Sequence, residues 1–132
     1  MLDDRDAVLR SAVKGATCAL LVLGAIGGAS AQMAPRSFVA SPDIYREVAH
    51  TPKITAIQGE FKPGQRDKPH SNPESLTYFV TDCDLTKHRS DGTTIPFGVT
   101  RAGAILRSPA DDSYWLENVG QSNCRMVSFA PN

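Results

Sequence analysis

Turn-forming residues interrupt this chain at intervals of about eight to twelve residues from Asp43 onward, and the segments between them are typical of short strands. The clearest segment spans residues 75–82, where Leu76, Tyr78 and Val80 alternate with Thr and Phe side chains. A period of two indicates a β-strand, because successive side chains of a strand point to opposite faces. No stretch of this region shows the 3.6-residue period of an amphipathic helix. The pattern therefore predicts an all-β domain, built as a sandwich or a barrel.

The turns separate the predicted strands from one another. Pro63-Gly64 closes the first strand and Asn72-Pro73 precedes the second, because Gly accepts a positive φ and Pro fixes its own φ. Between them lies an extended arm that carries His70. In chain order the predicted strands cover residues 54–61, 75–82, 84–89, 93–99, 104–107, 113–119 and 124–129.

The N-terminal segment predicts an export signal. Basic residues precede an apolar run at residues 19–26, and small residues follow it up to Ala29-Ser30-Ala31. This is the charged, apolar and small-residue order of a bacterial signal peptide, and the run is too short to span a bilayer. We therefore predict a signal peptide over residues 1–31, cleavage after Ala31 and a periplasmic or secreted mature protein without a stable membrane anchor. An uncleaved N-terminal anchor is the alternative.

Length and charge limit the mature protein to one domain without an obvious polyionic partner. Removing residues 1–31 from the 132-residue chain leaves 101, which is enough for a single core. The whole chain has 14 basic and 14 acidic residues, and the predicted signal peptide holds three of each, so the remainder stays balanced. This balance argues against a nucleic-acid partner. We predict a flexible leader at residues 32–42, because it is polar and interrupted by Pro, and a folded domain at residues 43–132.

Two short motifs in this all-β chain resemble those of the cupins. The segment from Gly64 to His70 is similar to the opening of the first cupin motif. Gly103, Pro109 and the segment Glu117-Asn118-Val119-Gly120 are similar to the frame of the second motif. The resemblance covers roughly residues 45–131 and is to the small single-domain, RmlC-like cupins exported by proteobacteria. It implies a double-stranded β-helix, or jelly-roll barrel, with a cavity between two sheets.

The positions that usually bind metal in these motifs are changed. The first motif usually has a second histidine where this chain has Asn72, and the second motif usually has a histidine where Tyr114 stands. The first motif usually has a Glu soon after its histidines, and the nearest carboxylate after His70 is Glu74. An amide is a weak donor for divalent transition metals, and a tyrosine first has to lose a proton with a pKa of about 10. A metal site would thus rest on His70, with Glu74 as a further ligand.

The resemblance implies three functions, of which we favour the first. It is a non-enzymatic exported cupin that binds a small polar ligand through His70, Asn72, Tyr78 and Tyr114, with no cofactor and no assigned catalytic residue. The second is a metal-dependent oxygenase or isomerase with a reduced Mn, Fe, Ni or Zn site around His70. The third is a structural β-module that forms a homodimer. His50 and His88 lie outside both motifs and are predicted to face solvent.

The resemblance also implies a disulfide between Cys83 and Cys124, the two cysteines that remain after cleavage. In a cupin jelly roll the strand after the first motif runs antiparallel to the last strand. Cys83 ends the former and Cys124 begins the latter, so the two are expected to face each other across one ladder. An oxidising compartment permits the bond, and two packed free thiols are the alternative.

Overall fold

The computed structural model describes residues 33–132, so the predicted signal peptide and Gln32 lie outside the described residues. Nine strands and one short helix make up this part of the chain. The helix has four residues, so none of the described helices is long enough to cross a membrane. The elements are α1 (Ser37–Ala40), β1 (Tyr45–His50), β2 (Ile54–Phe61), β3 (His70–Asn72), β4 (Ser75–Phe79), β5 (Cys83–His88), β6 (Thr94–Thr100), β7 (Ile105–Ser108), β8 (Asp111–Asn118) and β9 (Cys124–Pro131).

The strands form two antiparallel sheets, which confirms the all-β prediction. The five-stranded sheet has the order β1-β2-β9-β4-β7, and the four-stranded sheet has the order β3-β8-β5-β6. Two strands that follow each other in the chain, β6 and β7, thus lie at the edges of different sheets. Strand β1 was missed by the sequence analysis, because five of its six residues are exposed and give no alternation of burial.

The core follows the period of two along the paired strands. In β8, Tyr114, Leu116 and Asn118 are buried, whereas the intervening residues are partly exposed. In β4, Phe79 is buried, but Leu76 and Tyr78 are exposed on the opposite face. The apolar core therefore lies between the sheets, as expected for a sandwich in which each sheet contributes one face.

The predicted leader at residues 32–42 contacts the domain over its described part. The Ser71 backbone N–H donates to the Pro35 carbonyl at 2.8 Å, and the Ala34 N–H donates to the Asp112 carbonyl at 3.2 Å. Ser41 is buried, and its side chain accepts a hydrogen bond from the Lys68 N–H at 2.8 Å. These polar groups pair with backbone groups of the arm, of β3 and of β8 rather than facing water.

Cys83 and Cys124 form a disulfide with a Cα–Cα distance of 4.9 Å, but it does not cross one ladder. Strand β4 ends at Phe79 rather than at residue 82, and the chain then passes to the other sheet, where Cys83 begins β5. Cys124 begins β9 of the five-stranded sheet. The bond therefore joins the two sheets.

Candidate functional site

A cavity of about 460 Å³ lies between the two sheets. Its walls are the inward-facing side chains of strands from both sheets. Ile95 and Phe97 of β6 and Leu106 of β7 line it and are between 38% and 48% exposed, so the cavity opens between these two edge strands. Most of the wall is apolar: Ile57, Phe79, Leu85, Ile95, Phe97, Leu106, Leu116 and Met126.

His70 lies at the wall of this cavity and is 1% exposed. Its Nδ1 atom is 3.0 Å from the Lys68 carbonyl oxygen, which can only accept a hydrogen bond. The proton of the neutral ring therefore sits on Nδ1, and Nε2 carries the lone pair. Tyr114 is the register partner of His70 in β8, and the two ring centroids are 4.4 Å apart. Strand pairing thus brings together the residues that the two motifs place far apart in sequence.

A buried carboxylate, that of Asp67, lies next to the His70 ring. Asp67 accepts a hydrogen bond from the Tyr45 hydroxyl at 2.6 Å and another from the Leu116 N–H at 2.6 Å. The oxygen that accepts the hydrogen bond from Tyr45, Oδ2, also lies 3.4 Å from His70 Nδ1. Burial raises the pKa of Asp67, although the electrostatic effect of His70 and the hydrogen bonds from Tyr45 and Leu116 oppose that rise. Burial, followed by the charge of Asp67, also raises the pKa of both Tyr45 and Tyr114, so both phenols keep their protons.

The sequence did not single out Asp67, because it lies between two cations, Arg66 and Lys68, and such a charged stretch is ordinarily solvated. The sequence nevertheless contains a pattern that indicates the burial of Asp67. In an extended arm neighbouring side chains point to opposite sides, so a residue between two solvated cations faces inward. Asp67 is 6% exposed, whereas Arg66 lies outside and pairs with Glu117 at 2.9 Å.

The predicted ligand-binding residues divide into two groups. His70, Asn72 and Tyr114 all line the cavity. Tyr78 does not belong to this site, because it lies on the outer face of the five-stranded sheet and is 41% exposed. Its neighbours in β4, Thr77 and Phe79, face the cavity instead. The prediction for Tyr78 is therefore wrong, because the residues on either side of it face the cavity and side chains alternate along the strand.

Glu74 does not join His70 either. Its carboxylate accepts a hydrogen bond from Arg107 Nε at 2.6 Å and is exposed to solvent. That hydrogen bond and the Arg107 charge lower the pKa of Glu74. Because Glu74 lies outside the cavity lining, the prediction of a metal ligand at this position is wrong.

The donor set around His70 does not fit a divalent transition metal. Residues 33–132 contain no group of three His, Cys, Asp or Glu side chains that could hold a metal ion. Asp67 is already bound by Tyr45 and Leu116, and Tyr114 is a protonated phenol. Cupin-type metal sites use several imidazoles and a carboxylate, which are strong donors at neutral pH. This cavity offers one imidazole, an amide and a phenol.

The cavity also carries positive charge that sequence analysis did not assign. Lys87 and Arg89 line it from β5 and the residue after that strand. Both bind the same carboxylate oxygen of Asp111, at 2.5 Å from Lys87 Nζ and 2.7 Å from Arg89. Burial acts to raise the pKa of Asp111, but the Lys87 and Arg89 cations outweigh this effect, so its pKa is lowered. The Lys87 ammonium also lies 4.2 Å from the centroid of the Tyr114 ring.

The two remaining histidines lie away from the cavity lining. His50 is exposed, as predicted. His88 is only partly exposed, which differs from the prediction, because its Nε2 atom is 3.0 Å from Glu117 and its ring stacks on Trp115. Lys87 and Leu116 line the cavity, and side chains alternate along a strand. Their chain neighbours His88, Trp115 and Glu117 therefore point to the outer face of the four-stranded sheet, where both contacts lie.

Solved structures similar to this chain include cupin domains, and the fold is a cupin-type double-stranded β-helix. A cupin domain from Bordetella pertussis Tohama I has a TM-score of 0.60 and 16% identity, covering 67% of this chain and 92% of that one. A conserved protein with a double-stranded β-helix domain from Klebsiella pneumoniae has a TM-score of 0.52 and 21% identity, covering 67% and 76%. No protein-family model and no curated protein matches the sequence. At these identities the similarity establishes the fold alone.

Proposed function

We propose that this protein is an exported, non-enzymatic cupin that binds a small molecule in the cavity between its sheets. The observation that carries the proposal is the cavity itself. Its volume of about 460 Å³ lies within the range of known small-molecule sites. It is largely apolar with a few convergent polar groups, among them His70, Asn72 and Tyr114, which is the composition such sites have.

A neutral fluorescent probe, N-phenyl-1-naphthylamine, tests this proposal on the mature protein. We expect a saturable rise in fluorescence as the probe leaves water for the apolar cavity. The variant Leu106→Trp narrows the cavity mouth and is expected to weaken binding at least tenfold. Ile105→Trp is the matched control, because Ile105 is the neighbouring β7 residue, is 64% exposed and does not line the cavity. Absence of saturable binding, or equal loss in both variants, would contradict the proposal.

The metal-dependent oxygenase or isomerase is the less favoured function, because the donor set around His70 does not fit the ion it needs. We assign no catalytic residue. A titration with metal ions, given in the Discussion, separates the two functions.

A homodimer is supported by a separate observation, the outer face of the five-stranded sheet. Leu76, Tyr78, Ile105 and Phe129 are 41–64% exposed there and lie side by side on β4, β7 and β9. The Glu74–Arg107 ion pair flanks them and provides opposite charges that a two-fold-related copy can exchange. Exposed apolar groups of this extent mark interaction surfaces.

Sedimentation at several protein concentrations tests the homodimer. We expect a dimer that Ile105→Lys dissociates. Val99→Lys, which changes an exposed residue of β6 in the other sheet, serves as the control and is expected to leave the dimer intact. A monomer at all concentrations would contradict this function.

A further inference from the structure

The charges that line the cavity are all of one sign. Among residues 33–132, the charged residues of the lining are Lys87, Arg89 and Arg107, and none of them is a carboxylate. Arg107 is matched one to one by Glu74. Lys87 and Arg89, in contrast, share the single carboxylate of Asp111, so this corner of the cavity has one positive charge in excess. An excess cation at the wall of an apolar cavity favours an anionic ligand group.

The geometry around Lys87 holds that cation in place before any ligand arrives. Its side chain is 13% exposed, and its ammonium is fixed between Asp111 and the face of the Tyr114 ring. A partly desolvated ammonium attracts an anion more strongly than one in bulk water. Because its position is already fixed, little side-chain freedom is lost when a ligand binds.

The rest of the wall suits an apolar body. Leu85 precedes Lys87 by two positions on the same face of β5, and Ile95 is the register partner of Lys87 in β6. Phe97 and Leu106 continue the apolar surface at the mouth. A molecule with its anionic group at Lys87 and Arg89 would therefore place its body against these side chains.

We infer that the cavity takes a compact apolar monocarboxylate, whose carboxylate binds Lys87 and Arg89 beside Asp111 and whose body lies against Leu85, Phe97 and Leu106. This inference rests on the proposed function and narrows the ligand from an unspecified small molecule to an amphipathic acid. One excess positive charge matches one carboxylate, and a volume near the lower end of the usual range limits the body to about one aromatic ring or a medium-length chain.

Calorimetric titration with 3-phenylpropanoate and with 3-phenylpropanamide tests this inference, because the two probes have nearly the same shape and differ in charge. We expect the acid to bind at least about tenfold more tightly than the amide, since hydrogen bonds to charged groups are the stronger ones. Lys87→Met and Arg89→Gln are each expected to remove most of that preference and to leave amide binding unchanged. Arg101→Gln is the control, because Arg101 pairs with Asp82, is 77% exposed and lies outside the cavity lining.

The outcomes separate this inference from the proposed function. Equal binding of acid and amide would overturn the inference and leave the cavity as a small-molecule site. A preference for the acid that survives both Lys87→Met and Arg89→Gln would overturn the assigned position of the carboxylate. Binding of neither 3-phenylpropanoate nor 3-phenylpropanamide, together with no binding of N-phenyl-1-naphthylamine, would overturn both.

Discussion

Tyr45 donates its hydroxyl hydrogen to Asp67 across 2.6 Å inside the domain, 22 positions apart in sequence. This contact joins β1 to the arm that carries His70. Gly59 makes room for it, because a Cβ atom at that position would lie 2.9 Å from the Tyr45 ring. The wall of the cavity around His70 therefore depends on a hydrogen bond between two strongly buried groups.

Tyr45→Phe is expected to reduce the free energy of unfolding by about 1–3 kcal/mol at neutral pH, because it leaves a buried carboxylate with one donor fewer. The pKa of Asp67 is raised on folding, so its contribution is most favourable below the unfolded pKa and declines as pH rises through the folded one. Loss of the Tyr45 donor raises that pKa further, so the deficit should be larger at pH 7 than at pH 4. Urea unfolding at both pH values measures it. Tyr78→Phe, at an exposed tyrosine, should change neither value.

The Asp111 carboxylate is expected to control part of the acid stability. Lys87 and Arg89 hold its folded pKa below the ordinary value, so its stabilisation is present above the unfolded pKa and is lost as pH falls through the folded one. Asp111→Asn should cost about 1 kcal/mol at neutral pH and progressively less in acid. Thermal unfolding between about pH 2 and 7 measures the difference. Asp112→Asn, at the exposed neighbour, is the control, and an equal loss in both variants would contradict the assignment.

The Cys83–Cys124 bond closes a loop with a sequence separation of 41 residues. Restriction of the unfolded chain by a loop of this size corresponds to about 4 kcal/mol of stability. Cys83→Ala/Cys124→Ala is expected to lose most of that amount in denaturant unfolding. Because the two residues are 2% and 0% exposed, the folded wild-type protein should also resist reduction until it is partly unfolded. Rapid reduction under native conditions would argue that the bond is accessible.

Metal binding is expected to be weak. Calorimetric titration of metal-stripped protein with Mn, Fe, Ni and Zn should show no stoichiometric binding of micromolar or tighter affinity, because His70 is a single imidazole among weak donors. Asn72→His/Tyr114→His restores the two imidazoles of the usual motifs and is expected to gain binding. Tight binding to the wild-type protein that His70→Ala abolishes would favour the enzyme over the binding protein.

Export is expected to remove residues 1–31. The small residues at Ala29 and Ala31 follow the apolar run at the spacing that signal peptidases recognise. Intact-mass measurement of protein from the exported fraction should give a chain that begins at Gln32. A species that retains the first 31 residues would support the uncleaved anchor instead.

Sequence patterns predicted the two-sheet fold well, because the period of two in segments such as β4 and β8 is a direct consequence of strand geometry. They could not assign the faces of β4, since Leu76 and Tyr78 on one face are as apolar as Phe79 on the other. The error at Tyr78 follows from that symmetry. Asp67 and Lys87 were missed for another reason: a charged residue is ordinarily solvated, and the partners that hold these two lie elsewhere in the sequence.

The two edge strands at the cavity mouth bear on the kinetics of ligand exchange. Within the described part of the chain, β6 and β7 are each hydrogen-bonded to a neighbour on one side only, whereas the central strands are paired on both. Parting these edges exposes the cavity without separating β8 from β5 or β9 from β2. The dissociation rate of a bound molecule should therefore depend on local opening between β6 and β7 and be nearly independent of the global free energy of unfolding. Changes that strengthen the core, such as those around Cys124, would then leave residence time unaltered, whereas changes in Ile95, Phe97 or Leu106 would alter it directly.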